Sequence, residues 1–251
     1  MPARLFLVHG SHPCATVEKA FELKGVPFRR VELPAASQPL VMKALFGGRT
    51  VPGVRFEDGE KVQGSRAILR ALERRAPEPA LYDGPAGAAA IEEAERWGDE
   101  VFQAIPRRLL WAAFAVHPRA MHGFQEGQRS PKLPAPVVVA ASKVILPIER
   151  RLNDVDDAGV RADLAALPLL LDQVDTYLAD GVLGGEAPNA ADLQIAPTIR
   201  LLWALQDVRP LIAGRPAEAF AFRWFAPLPA SVPAGALPVG EAVQAATLPA
   251  G

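Results

Sequence analysis

The spacing of apolar and polar positions changes repeatedly over the first 76 residues, and each change predicts an element. RLFLVH, residues 4–9, is a short apolar run suited to a buried strand, and Gly10-Ser11 punctuates it. Pro13 follows where a first helical turn tolerates a missing N–H, with Ser11 or His12 as its cap. Cys14, Val17, Ala20 and Phe21 then recur at helical spacing until Gly25 stops the helix. FRRVEL, residues 28–33, alternates as a strand, and a polar, loosely helical stretch leads to Gly47-Gly48. TVPGVRFEDGEKVQ predicts a hairpin turning at Asp58-Gly59, and Gly64-Ser65 opens a helix with Ala67, Ile68, Ala71 and Leu72 on one face. The predicted order is βαβαββα.

Beyond this module the pattern becomes helical throughout. APEPALYDGPAGAAA marks a linker at 77–90, and five later stretches carry helical periodicity fenced by Pro or Gly, predicting an all-α helical bundle over 91–226. Asn189 and Asp192 have the spacing of a capping box, which predicts a sharp helix start. Pro168 and Pro197 fall inside helical patterns, where a kink or break is expected. The Pro/Ala-rich tail, 227–251, has too few large apolar residues for a core of its own and is expected to lie over the bundle or stay loose.

Composition narrows the function classes. Lys+Arg is 27 against 28 Asp+Glu, so the whole chain offers no electrostatic reason to bind nucleic acid or an anionic membrane. Small molecules and protein surfaces fit better. The single cysteine excludes an intramolecular disulfide, and the first residues lack the pattern of a secretory signal, so a cytoplasmic setting is expected. The most apolar stretches are interrupted before the roughly 20 residues a membrane span needs. His9, His117 and His122 have no partner spacing of a metal site, so no metal is expected. Trp97, Phe102, Trp111 and Phe114 are expected in the core, and Arg107-Arg108 and Arg150-Arg151 on solvated helix faces.

Candidate chemistry gathers in three places. A first-helix N-terminus offers free N–H groups and a positive dipole end, which stabilise a thiolate. Val51-Pro52 is a candidate cis bond, presenting the Val51 backbone to an extended peptide. The helix start at Ser65 suits a carboxylate.

This ordered set, SHPCATVEKAFELKG (residues 11–25), TVPG (50–53), QGSRAILRA (63–71) and APNAADLQIA (187–196), resembles glutathione S-transferases over roughly residues 5–224. The resemblance implies a thioredoxin-like α/β N-terminal domain (1–76) followed by the all-α domain. It also implies a dimeric detoxification enzyme that joins a thiol, with glutathione as co-substrate and no other cofactor, to a small apolar electrophile. Carried onto this chain, it places His12, Pro13, Val51, Pro52, Gly64 and Ser65 at the glutathione and Ser11 at the sulfur, donating a hydrogen bond that lowers the thiol pKa. The family usually carries Glu or Gln before that last serine; here the place is Gly64, with Gln63 one residue early. Restoring Glu at 64 is expected to tighten glutathione binding unless Gly64 needs positive φ.

Alternatives remain open at this level. Ser11 could be only a helix cap, and Cys14, on the apolar phase of Val17 and Phe21, could be core or the nucleophile of glutaredoxin-like thiol–disulfide chemistry. A third reading is a non-catalytic binding protein that keeps the fold without the site.

Overall fold

The computed structural model describes residues 2–34 and 37–240. Its first part follows the predicted order: β1 (Ala3–Leu7), α1 (His12–Leu23), β2 (Phe28–Glu32), α2 (Gln38–Phe46), β3 (Gly53–Arg55), β4 (Lys61–Gln63) and α3 (Ser65–Arg75). The strands lie in the order β2-β1-β3-β4, with β2 parallel to β1 and β3 and β4 antiparallel to their neighbours. Alternation along β1 explains its place. Leu5 and Leu7 are buried together with Val17 and Phe21 of α1 and Ile68 and Leu72 of α3. Phe6 sits edge-on against Phe46 of α2, 5.4 Å between ring centres. Asp58 and Gly59 make the hairpin turn, Gly59 at φ 92 and the Asp58 carboxylate accepting from Glu60 N at 2.9 Å.

The remainder is mostly helical: α4 (Ala88–Trp97), a π-helical turn (Gly98–Phe102), α5 (Ala104–Val116), α6 (Ala120–Gly123), α7 (Ala135–Leu152), α8 (Asp157–Ala179), α9 (Ala190–Trp203), α10 (Arg209–Ile212) and α11 (Pro216–Trp224). Helix α4 starts inside the stretch read as linker. The segment before it is anchored by Lys24, whose wholly buried ammonium donates to the carbonyls of Ala76, Pro77 and Pro79 (2.7, 3.2 and 2.8 Å) and pairs with Glu73 at 2.6 Å.

Helix α9 is the centre of the molecule. Its start is the capping box read from the sequence: Asn189 Oδ1 accepts from Asp192 N at 3.0 Å and Asp192 Oδ2 from Asn189 N at 2.8 Å. Every residue from 190 to 199 is buried, and the helix packs against α1, α4, α5 and α11. Neither α8 nor α9 breaks at its proline. In α9 the reason is visible. Pro197 has no N–H to offer the Leu193 carbonyl one turn back, and the Thr16 hydroxyl of α1 donates to that carbonyl instead, at 2.7 Å.

One surface expectation is corrected. Arg108 forms a two-pronged pair with Asp163 (2.7 and 2.5 Å), and Arg107 is half-buried and donates to the Gln103 side chain at 3.4 Å, so this pair does not lie on a freely solvated face. Of the two expectations for the tail, lying over the helical part describes it as far as residue 240: the Asp207 carboxylate accepts from the backbone N–H groups of Gly235, Ala236 and Leu237 at 2.7–2.9 Å. Residues 241–251 lie outside the described residues. Among the described residues no helix is long and apolar enough to cross a membrane, and no group of His, Cys, Asp and Glu could hold a metal ion.

Candidate functional site

Strand β1 delivers the chain to the start of α1, where the Ser11 backbone takes the N-cap position: its carbonyl accepts from Ala15 N at 3.0 Å. Its side chain does not cap. The hydroxyl makes no bond to the helix N–H groups and lies near the Cys14 sulfur. Pro13 occupies the first helical turn and is buried. Ser11 lines a cleft of about 420 Å³, whose walls come from residues 8–10, the outer face of α1, Arg30, Glu126 and Gly127, Arg200 of α9 and residues 224–229.

Cys14 lies one turn on and is 1 % exposed. Burial pushes its thiol up to about 12, against a smaller lowering effect of the Ser11 hydroxyl. At neutral pH it is a small apolar side chain of the α1 core. His12 is also buried, its Nε2 donating to the Gln103 carbonyl at 3.1 Å; burial, and next Arg107, hold it down to about 3, so it stays a neutral strut between α1 and the helical part.

Val51, Pro52, Gly64 and Ser65 gather at the same end of the sheet as Ser11, because Phe6 near the end of β1 pairs with Gly53 at the start of β3, and Gly53 with Gln63 at the end of β4. Val51-Pro52 is cis, and the Pro52 carbonyl accepts from Gly64 N at 2.9 Å. The Val51 N–H and C=O make no hydrogen bond among the described residues, so this backbone remains open for pairing. Gly64 stands at φ 92, ψ 140, a conformation that side chains strain. Gln63 does not reach in as a substitute: its amide accepts from Gly48 N at 3.1 Å and donates to the Thr50 carbonyl at 2.6 Å, tying down that loop.

The sequence reading missed Asp99. It sits on the π-helical turn, accepts from the side-chain amides of Gln103 (2.7 Å) and Gln194 (3.1 Å), and lies near the Ser65 hydroxyl across the two parts of the chain. Burial is the main reason its carboxyl is raised; Gln103 and then Arg66 oppose it. Arg200, too, was missed, although a lone arginine within LQIAPTIRLLWAL is a charge on an otherwise apolar helix and could have drawn notice.

Residues 5–80 match the family model described as glutathione S-transferase, N-terminal domain. Solved structures similar to the chain include glutathione transferase F7 from Populus trichocarpa, with TM-score 0.60 and 14% identity over 98% of this chain and 99% of that one. Another is the theta class glutathione S-transferase from the citrus canker pathogen Xanthomonas axonopodis pv. citri with glutathione bound (0.58, 20%, 100% and 99%). A third is FzlA from C. crescentus (0.54, 17%, 89% and 86%). No curated protein sequence matches it.

Proposed function

We propose, for a chain whose residues 5–80 belong to the glutathione S-transferase N-terminal domain family and whose fold is that of glutathione transferases, that it joins a thiol, glutathione in the first instance, to a small electrophile. The observation that carries this reading is the Ser11 hydroxyl, free of capping duty at the N-terminus of α1 and lining a cleft between the two parts of the chain.

The chemistry follows from that position. The Ser11 O–H donates to the sulfur, and the α1 dipole adds positive potential there, so the thiol loses its proton to water more readily. The thiolate forms the new S–C bond. In a substitution the leaving group departs with the bonding pair; in an addition the displaced π pair takes up a proton from water. Ser11 keeps its own proton. The peptide would pair with the open Val51 backbone, and Asp99 beside Ser65 supplies a carboxylate toward an ammonium where Gly64 supplies no side chain. A homodimer, a cytoplasmic setting and a role in detoxification belong to the same reading.

Thiol–disulfide exchange through Cys14 is the weaker alternative, since a buried thiol at about 12 is neither accessible nor ionised. A non-catalytic binding role is favoured by one observation, the engagement of Gln63 away from the peptide patch. Calorimetry with glutathione and with a second low-molecular-weight thiol separates these readings, together with conjugation rates of wild type and Ser11→Ala. Losing one preorganised donor to a developing anion should lower the rate by about 10- to 1,000-fold with the fold intact. Unchanged rates in Ser11→Ala would remove Ser11 from the mechanism, and binding of neither thiol would leave the non-catalytic role.

A further inference from the structure

The cleft beside Ser11 holds one charge that the proposed reaction does not use. Most charged groups on its walls are matched: Glu18 and Glu32 flank Arg30 at 3.0 Å each, Lys19 is 3.8 Å from Glu22, and Glu126 is 2.6 Å from Lys132. Arg200 is not. Among the described residues it takes part in no ion pair or hydrogen bond, and its Nε is buried without an acceptor.

A guanidinium withdrawn from water needs a partner, and a carboxylate fits its planar fork best. Burial holds Arg200 below the ordinary arginine range, with Glu18 opposing from a distance. The Phe225 ring lies 5.6 Å from the guanidinium carbon, so an apolar surface adjoins the charge. On the same wall the Trp224 indole N–H is a second donor without an acceptor.

We propose that Arg200, seconded by Trp224, is the subsite for a carboxylate on the molecule that meets the thiol at Ser11, so that the second substrate is an acidic electrophile with an aromatic or unsaturated body. This rests on the conjugation reading above, and adds an acidic group to the apolar electrophile that the resemblance implies. Among the described residues no acid pairs with this side chain, whereas the ligand's acid would.

Two matched pairs of compounds test it on the full chain. Binding of 3-benzoylpropionate and of its methyl ester, neither of which adds a thiol, is measured by calorimetry on wild type, Arg200→Gln and Arg200→Lys. Thiol addition to 3-benzoylacrylate and to its methyl ester is followed alongside. Wild type should bind the acid about tenfold or more tightly than the ester, as one charge-assisted bond allows. Arg200→Gln should abolish that preference, and Arg200→Lys, which keeps the charge but not the fork, should keep part of it. Equal affinity for acid and ester in wild type, or a preference that survives in Arg200→Gln, overturns the subsite. If Arg200→Gln does not fold, the wild-type ratio and Arg200→Lys decide. Acid preference without thiol addition to either acrylate would overturn the conjugation reading and leave the subsite standing; thiol addition without acid preference would do the reverse.

Discussion

Removing the Thr16 hydroxyl should destabilise the protein only while residue 197 is proline. Thr16→Val keeps the shape of the side chain and deletes the donor to the Leu193 carbonyl, a 2.7 Å bond in a fully buried place. Pro197 cannot serve that carbonyl, so it is left without a partner, at a cost of about 1–3 kcal/mol. The second Thr16 bond, to the His12 carbonyl at 3.3 Å, is long and adds little. With Pro197→Ala, an alanine N–H one turn on can close the ordinary helical bond to Leu193, and Thr16→Val in that background should cost about 0.5 kcal/mol or less. The coupling in the double-mutant cycle is therefore about 0.5–3 kcal/mol. Urea unfolding of the four proteins, with equal m-values as the check that the denatured state is unchanged, measures it. Equal costs of Thr16→Val in both backgrounds would refute the assignment of that hydroxyl to the carbonyl that proline frees.

Gly64→Ala should lose about 1–3 kcal/mol in the same assay, because at φ 92 the cost is backbone strain, the added Cβ meeting nothing within 4 Å; Gly64→Glu should lose as much and bind glutathione no better, reversing the expectation drawn from the missing side chain alone, and a loss under about 0.5 kcal/mol would sink this. Native Cys14, held up to about 12, should resist alkylation at pH 7 to 8 and react only on unfolding, while Cys14→Ala keeps conjugation activity; rapid modification of the folded protein would restore the thiol to the candidates for catalysis.

What could be read from the sequence was local. The βαβαββα order, the hairpin at Asp58-Gly59 and the capping box at Asn189 each depend on residues within a few positions of one another, where period, turn chemistry and capping act. What escaped depends on distant partners. A helical proline announces a freed carbonyl, but not that Thr16, 177 positions earlier, will answer it. Asp99 reads as one acid in a charged helix until the fold sets it against Ser65. The conformation of Gly64 follows from the crossing of β4 into α3, which no spacing encodes. Ser11 could be singled out as a helix start; that its hydroxyl does not cap the helix required the geometry.

The pinning of α1 to α9 also bears on how this architecture could be cut and rejoined. The buried apolar side chains form one cluster running from Ala3 to Leu237, and buried polar groups of the two parts meet beside it, His12 with the Gln103 carbonyl and Thr16 with that of Leu193. A fragment ending after α3 would expose the face of α1 that carries His12 and Thr16, and the helical fragment would lose the donor that completes α9. Recombination with a related chain at the Pro-rich junction would respect the apparent modules and still mismatch this seam. Exchange should be tolerated only when residues 12, 16, 103 and 193–197 travel together, which makes the heritable unit larger than either half.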